Sequence, residues 1–284
     1  MSGKMYEEHL LHEFFVRRTQ YLGLIRAVIF DWAGTGVDCG SLAPVAAFSS
    51  TFSDFGLTLS KEEIRAYMGL EKKEHVRRLL MQEHIADSWA KLHGSAPADL
   101  DVEDVFSCFS RRLPEIVKKY ASPVPGCVEA LSWLRARGIA IGSCTGYNRS
   151  MMEELIEAAA EMGFDPDCIV CADEVPCGRP WPWMCYENCI RLGVYPAEAV
   201  IKVGDTEADI EEGRRAGMWS VAVVRTSNAM GLSLDELEQM PPAERTCREK
   251  KIARRFMEAG AHAVITTLFA LPDLVCKIEE EGRI

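Results

Sequence analysis

Six short apolar runs recur along the chain: Ala27–Phe30 (AVIF), Ile139–Thr145 (IAIGSCT), Cys168–Cys171 (CIVC), Ala199–Gly204 (AVIKVG), Trp219–Val224 (WSVAVV) and Ala263–Thr266 (AVIT). Each is too short for a buried helix and too continuous for a strand with one wet face, so each reads as a strand covered on both sides. Between them lie helix-like stretches: Val128 to Arg137 closed by Gly138, Arg149 to Met162, Pro182 to Leu192, and Ala208 to Ala216 closed by Gly217. Strands alternating with helices of this length predict an α/β fold, a doubly wound Rossmann-like parallel sheet with helical crossovers.

The alternation fails once. From Leu42 to Lys119 there is amphipathic helical pattern and almost no strand signal, and Pro123, Pro125 and Gly126 mark the return to the sheet. The expected organisation is therefore an N-terminal helical extension (1–25), an α/β core domain (26–41 and 120–284) and an inserted all-helical cap domain (42–119). The extension carries Leu10, Leu11, Phe14, Phe15 and Val16 as an apolar stripe that docks either on the core or on a second subunit. In open parallel sheets the ligand crevice lies at the carboxyl ends of the strands. A module inserted there covers it like a lid.

Composition narrows the partners. The chain has 284 residues, a length suited to two domains. Its net charge of −11, from 32 basic and 43 acidic residues, argues against nucleic acid or an anionic membrane surface as partner. No apolar run approaches the roughly 20 residues that cross a bilayer, and the first residues have neither a signal nor a transit layout. Eleven scattered cysteines, an odd number, suggest free thiols in a reducing, cytoplasmic setting. Five of them fall between Cys168 and Cys189 and invite a zinc reading. On a strand, however, Cys168 and Cys171 face opposite sides, so zinc is set aside.

The residues that follow the strands carry the chemistry. Asp31 ends the first strand, Thr145–Gly146–Tyr147 a later one, Gly178–Arg179–Pro180 lies in the loop after Cys171, and Gly204–Asp205–Thr206 follows Val203 with Asp209 a turn beyond. Two carboxylates, a hydroxyl and a guanidinium would converge on one rim. Hard oxygen ligands suit Mg²⁺, Arg179 and Thr145 could hold phosphate oxygens, and the set fits phosphoryl transfer to a carboxylate.

At these residues the chain resembles the haloacid dehalogenase superfamily and, more narrowly, its phosphonatase (phosphonoacetaldehyde hydrolase) family, from about Arg26 to the C-terminus. The pieces are Asp31–Trp–Ala–Gly–Thr35, Met68–Gly69–Leu70 with Lys72 and His75, Gly142–Ser143 leading to Thr145–Gly–Tyr147, Gly178–Arg179 through Tyr186, and Lys202–Val–Gly–Asp205–Thr206. An Asp-x-x-x-Thr alone is weak, whereas five pieces in order are specific. The resemblance implies hydrolysis of the C–P bond of phosphonoacetaldehyde to acetaldehyde and phosphate, and a homodimer formed through the cap. It implies Mg²⁺ held by Asp31, Asp205 and the backbone oxygen of Ala33, with Thr35, Thr206 and Asp209 behind them. Thr145, Gly146, Tyr147 and Arg179 would surround the phosphonate.

Phosphatases of the superfamily usually carry a second aspartate two residues after the nucleophile, as acid for the leaving alkoxide. Here that position is Ala33. Lys72 offers another route, since a lysine amine condenses with an aldehyde and the protonated imine accepts the electrons of a breaking bond. Met68, Lys72 and His75 are spaced i, i+4 and i+7 and so are expected on one helix face, while Lys73, turned about 100° away, points to solvent. His75 would shuttle protons, and Met68 would exclude water and depress the lysine pKa.

Plainer roles stand beside these. Asp209 is either support for the metal or an acid favoured by the helix dipole. His75 could be an ordinary interface histidine, Arg179 could pair with Asp173 or Glu174, and Tyr147 could wall the pocket or only pack. The alternative functions are a Mg²⁺-dependent phosphatase acting on a small phosphorylated metabolite and a non-catalytic phosphate-sensing or scaffold protein. Departures from the family pattern are Gly36 for a common threonine, which should loosen the loop, Ser41 for a cysteine, Cys39 in an aromatic position, and an insert around Pro241 to Lys251. The basic residues Arg248, Lys250, Lys251, Arg254 and Arg255 read as a solvated helix.

Overall fold

The computed structural model describes residues 23–281. The apolar stripe expected in the N-terminal extension lies outside the described residues. Six parallel strands form one sheet: β1 (Ala27–Phe30), β2 (Ala140–Thr145), β3 (Cys168–Cys171), β4 (Val200–Gly204), β5 (Trp219–Val223) and β6 (Ala263–Ile265), in the order β3-β2-β1-β4-β5-β6. The chain winds outward in both directions from the β1–β4 pair, which makes that pair the topological switch point where a crevice opens.

Every side chain of β1 is buried, as its uninterrupted apolar sequence requires. Val28 and Phe30 join the larger core together with Ile141, Val203 and Val221, whereas Ala27 and Ile29 join Cys144, Cys168 and Val170 on the opposite face. Cys168 and Cys171 fall in different clusters on either side of the sheet, so they cannot grip one ion. All eleven cysteines are free thiols.

After β1 the chain runs through a bundle of five helices before it returns to the sheet: α1 (Leu42–Asp54), α2 (Lys61–Arg65), α3 (Lys72–Leu80), α4 (Glu83–His93) and α5 (Asp99–Val117). They pack around Phe48, Phe52, Val76, Leu79, Val105 and Phe109, all fully buried, with the Phe48 and Phe109 rings stacked at 4.3 Å, and this packing is continuous with the larger core of the sheet. The two linkers joining this bundle to the sheet are tied together. Asp38 donates its N–H to the Ser122 carbonyl at 3.3 Å, and Val124 donates to the Gly36 carbonyl at 3.0 Å.

The core helices are α6 (Cys127–Ala136), α7 (Arg149–Glu161), α8 (Trp183–Leu192), α9 (Glu207–Arg215), α10 (Leu234–Gln239), α11 (Pro242–Glu258) and α12 (Leu271–Glu281). Gly138 and Gly217 follow α6 and α9 at φ of 69° and 73°, the left-handed turn that ends a helix cheaply only with glycine. The basic run forms the middle of α11, docked by the buried Ile252 and Phe256, with Arg225 Nε donating to Glu249 at 2.6 Å. Among the described residues no helix is long and apolar enough to cross a membrane.

Candidate active site

Parallel pairing lines up the strand ends. Phe30 sits opposite Ser143 on one side and Val203 on the other, so Asp31, Thr145 and Asp205 emerge together. They open on a cavity of about 20 Å³ whose core-side wall is Asp31, Ala33, Thr145, Gly146, Tyr147, Arg179, Asp205 and Thr206. The cap closes it with Pro44, Met68, Gly69 and Lys72. Backbone contacts seal the seam, with the Lys72 N–H donating to the Gly146 carbonyl at 3.2 Å and Arg179 Nη1 to the Gly69 carbonyl at 3.3 Å. A Cβ at Gly146 would strike the Leu70 carbonyl, and one at Gly69 would strike the Thr206 hydroxyl. Bare backbone is needed on both sides for this approach.

Beneath the cavity lies a buried charge cluster. Arg179 Nη2 reaches Asp31 Oδ1 at 2.7 Å, Asp209 Oδ1 at 3.2 Å and the Cys144 carbonyl at 2.9 Å, while its Nε donates to Glu212 Oε2 at 2.8 Å. Lys202 Nζ donates to Asp209 Oδ1 at 2.6 Å and stands 3.6 Å from Glu212. Burial alone would raise the Asp209 pKa, but Arg179 and Lys202 outweigh it and hold the carboxyl at about 2. The same carboxylates, acting against burial, raise Arg179 well above its ordinary value. Arg179 thus gives one contact to Asp31 and the rest to Asp209, Glu212, Cys144 and the Gly69 carbonyl, and only part of the guanidinium faces the cavity. The loop acids Asp173 and Glu174 are taken by Arg149 instead, through bonds to its N–H at 2.9 Å and its Nη2 at 2.7 Å.

Asp31, Asp205 and Asp209 crowd together within 4.8 Å. Both Asp209 oxygens are committed, Oδ1 to Lys202 and Oδ2 to the Thr206 hydroxyl at 2.6 Å, so it stands behind the other two. Asp205 Oδ2 accepts from the Asn228 N–H at 2.6 Å and from Ser41 Oγ at 3.2 Å, whereas its Oδ1 is buried without a partner. Burial, with Asp31 and Asp209 alongside, pushes Asp205 well above the carboxylate range. Asp31 is raised as well, by burial and Asp209 against the pull of Arg179 and Lys202. An orphaned oxygen and two carboxylates that resist ionising together are what a hard divalent cation relieves. The donor set therefore fits Mg²⁺.

Lys72 is 3% exposed, with Nζ 5.0 Å from the Tyr147 ring centroid and 3.4 Å from the Leu70 carbonyl. Burial lowers its pKa to about 8, with the Asp31 charge opposing and Arg179 assisting. Tyr147 accordingly walls the cavity. Lys73 points outward and pairs with Glu103.

The shared helix face expected for Met68, Lys72 and His75 does not exist. Gly69 at φ 90° breaks the chain between Met68 and α3, which begins only at Lys72. Met68 and Lys72 still meet at the cavity, but through a turn. His75 lies one turn along α3 and does not line the cavity. Its ring is fully buried, 4.1 Å from Phe48, and its Nε2–H donates to the Ile64 carbonyl at 2.8 Å. A carbonyl only accepts, so the proton must sit on Nε2 and Nδ1, which has no partner, carries the free lone pair. Burial and Lys72 hold its pKa well below 6.5, so the ring is neutral.

Gly36 does not loosen its loop. A Cβ there would strike the Phe164 ring, which packs edge-on against Trp32 at 4.8 Å and fills the space a threonine would need. Thr35 is fully buried with Oγ1 unpartnered. Sequence reasoning gave no role to Lys202, Glu212, Cys144, Arg65 or Asn228. A lysine inside an otherwise apolar strand was a visible sign of a buried partner, and Glu212 sits three residues after Asp209 on the same helix face.

The fold and site define a hydrolase in which a strand-end aspartate meets a cap-borne amine. The chain belongs to the haloacid dehalogenase-like hydrolases, whose family model matches residues 28–223. Within them it belongs to the family of the phosphonoacetaldehyde hydrolases. It is 46% identical over 254 residues to the phosphonoacetaldehyde hydrolase of Nitratidesulfovibrio vulgaris, covering 89% of this chain and 91% of that one. It is 46% identical over 260 residues to that of Bacillus cereus, covering 92% and 98%. A crystal structure of a phosphonoacetaldehyde hydrolase-like protein from Oleispira antarctica superposes with a TM-score of 0.92 at 35% identity, over 95% of this chain and 98% of that one. A β-phosphoglucomutase from Clostridium difficile shares the fold, with a TM-score of 0.65 at 16% identity, over 91% of this chain and 98% of that one.

Proposed function

We propose that the protein hydrolyses phosphonoacetaldehyde to acetaldehyde and phosphate. One observation carries this reading: a buried lysine amine, with its pKa lowered to about 8, shares one small cavity with the Asp31 carboxylate, and Ala33 stands where a phosphatase would hold an acid.

The neutral Lys72 amine adds to the aldehyde carbonyl and expels water, giving a Schiff base. Asp31, held by Arg179, attacks phosphorus. The C–P bond breaks and its electron pair moves through the adjacent carbon to the protonated imine nitrogen, leaving an enamine and an aspartyl phosphate. Protonation of the enamine carbon and addition of water release acetaldehyde and regenerate Lys72. A second water cleaves the aspartyl phosphate. No alkoxide forms, so no acid is needed at Ala33. Thr145, Gly146 and Arg179 would bind the phosphonate oxygens. His75, which lies off the cavity with Nδ1 unpartnered, would pass protons to Lys72 only across a bridging water. Asp31, Asp205 and the Ala33 carbonyl would hold Mg²⁺, which offsets the repulsion between a phosphonate dianion and an attacking carboxylate. Thr35, Thr206 and Asp209 would support that set from behind.

A reducing, cytoplasmic setting and a homodimer belong to the same proposal. Exposed apolar side chains that a second copy would cover are Met81, Leu92 and Leu100 on the cap, and Trp181, Trp183, Tyr186, Ile190 and Tyr195 around α8. Light scattering on charge-bearing variants at each face decides between them.

The decisive experiment is borohydride reduction in the presence of phosphonoacetaldehyde, followed by mass spectrometry of peptides. A two-carbon adduct on Lys72, absent without substrate and absent in Lys72→Arg, is expected. Substrate-dependent acetaldehyde release without any lysine adduct would overturn the mechanism, and no acetaldehyde release would overturn the function.

A further inference from the structure

The loop between β5 and α10 holds none of the sequence motifs, yet it joins the cap to a metal-holding carboxylate. The Asn228 N–H donates to Asp205 Oδ2 at 2.6 Å. On its other side Asn228 accepts from Arg65 Nη1, at Oδ1 (2.7 Å) and at its carbonyl (3.2 Å), and Asn228 Nδ2 donates back to the Arg65 carbonyl at 3.2 Å. Arg65 is a cap residue at the end of α2. The same guanidinium donates to the Gly40 carbonyl at 2.7 Å and the Gly231 carbonyl at 3.4 Å.

These partners are themselves tied to the nucleophile loop. The Gly40 N–H donates to the Thr226 carbonyl at 2.7 Å, and Thr226 Oγ1 donates to the Gly34 carbonyl at 2.8 Å. Ser41, next to Gly40, shares its one hydroxyl proton between Asp205 Oδ2 at 3.2 Å and the Ala33 carbonyl at 3.1 Å. One cap guanidinium thus pins both groups that hold Asp205 Oδ2. All its hydrogen bonds go to neutral oxygens, and the carboxylates of Asp205, Asp38 and Glu62 act on it only through longer-range charge. Hydrogen bonds to carbonyls need short distances and fixed angles, so they vanish when the cap moves by an ångström or two. A distant charge pair would persist through that movement.

We propose that Arg65 and Asn228 are positioning residues that couple cap closure to divalent-cation binding. With the cap shut, Arg65 fixes Asn228 and the Gly40–Ser41 turn, these hold Asp205 by Oδ2, and Oδ1 is left free for the cation. With the cap open, that orientation is released. The proposal rests on the metal reading above but not on the identity of the substrate. Coupling of this kind is reciprocal, so the cation must also favour the shut cap.

The test uses the full-length protein without substrate. Mg²⁺ affinity is measured by calorimetry, and closure by hydrogen exchange of the Lys72 amide, which donates across the seam to Gly146. In the unsubstituted protein Mg²⁺ should slow that exchange. Arg65→Ala should weaken Mg²⁺ binding about tenfold, the loss of roughly one charge-assisted hydrogen bond, and should abolish the Mg²⁺-dependent slowing. Asn228→Ala keeps its N–H to Asp205 and loses only the side-chain bonds to Arg65, so it should fall between the two. Arg65→Lys, which reaches one carbonyl at a time, should recover part of the loss. It also carries the test if Arg65→Ala fails to fold. Mg²⁺ affinity within twofold of the unsubstituted protein in folded Arg65 variants, or Mg²⁺-dependent slowing that survives in them, overturns the coupling and leaves a purely structural latch. Absence of acetaldehyde release with the coupling intact would remove only the substrate assignment.

Discussion

At the scale of single residues, the proposed chemistry turns on Lys72. A buried amine is a better nucleophile at neutral pH because burial disfavours its charged form. The sign follows directly. Below pH 8 most Lys72 is protonated and inert toward the aldehyde, and above it most is free, so kcat/KM for the imine-forming step should rise with pH and level off near 8. A solvated lysine would keep the profile rising toward about 10. A stopped-flow profile that still climbs tenfold between pH 8 and 9 would rule out a buried nucleophilic amine. Asp31 and Lys72 were picked out by the motifs around them, since a lysine on a helix face taken alone reads as solvated, and both line the cavity. Gly36 was not legible. Its absent side chain looked like looseness and is instead room for Phe164. Gly36→Thr should therefore cost about 1–3 kcal/mol of stability by overpacking, read as a lower urea midpoint. Adding Phe164→Leu should restore part of it, and equal losses with and without the second change would contradict this account.

At the scale of elements, the alternation of apolar runs and helical stretches was enough to read the parallel core, because a strand covered on both faces leaves no other pattern. Helix α9, read as Ala208 to Ala216, spans Glu207–Arg215. The cap was harder. The i, i+4, i+7 spacing of Met68, Lys72 and His75 suggested one helix, but a glycine in the left-handed region ends that register, and periodicity carries no information about φ. Capping shows the same gap. Helix α1 follows Ser41, yet Ser41 gives it no side-chain bond, and Asp38 accepts from the Leu42 and Ala43 N–H groups at 2.9 and 3.0 Å. Two otherwise orphaned donors at the start of the cap thus depend on a residue in the linker. Asp38→Ala should cost about 1–2 kcal/mol, measured by denaturant unfolding, with exchange rising first at the α1 amides. Exchange that rises uniformly across the molecule would mean that Asp38 is not acting as the cap.

At the scale of the whole molecule, the cavity decides what must move. A space of about 20 Å³ holds roughly one water, and the Lys72 and Asp31 groups that line it are buried, so no aldehyde reaches the amine while the cap is shut. The proposed reaction therefore requires the cap to open for substrate and to close so that Lys72 meets Asp31. Such a closed state was readable in the sequence only as an inserted helical stretch. What sets its precision is the contact of bare backbone at Gly69, Leu70 and Gly146, a property of two surfaces that no local pattern contains. That contact can be wedged. Gly146→Ala places a methyl against the Leu70 carbonyl, so the cap must stop short. Displacement of about 1 Å at a reacting pair costs about a hundredfold in rate. The variant should therefore lose about that factor in kcat/KM and expose the Lys72 amide to faster exchange. Its melting temperature should hardly change, because the added methyl meets the Leu70 and Gly69 backbone and no buried apolar side chain. Borohydride trapping should still find Lys72, since imine formation needs less exact placement than in-line attack on phosphorus. A Gly146→Ala enzyme that keeps full activity would show that the shut geometry is not the one in which the bond is broken.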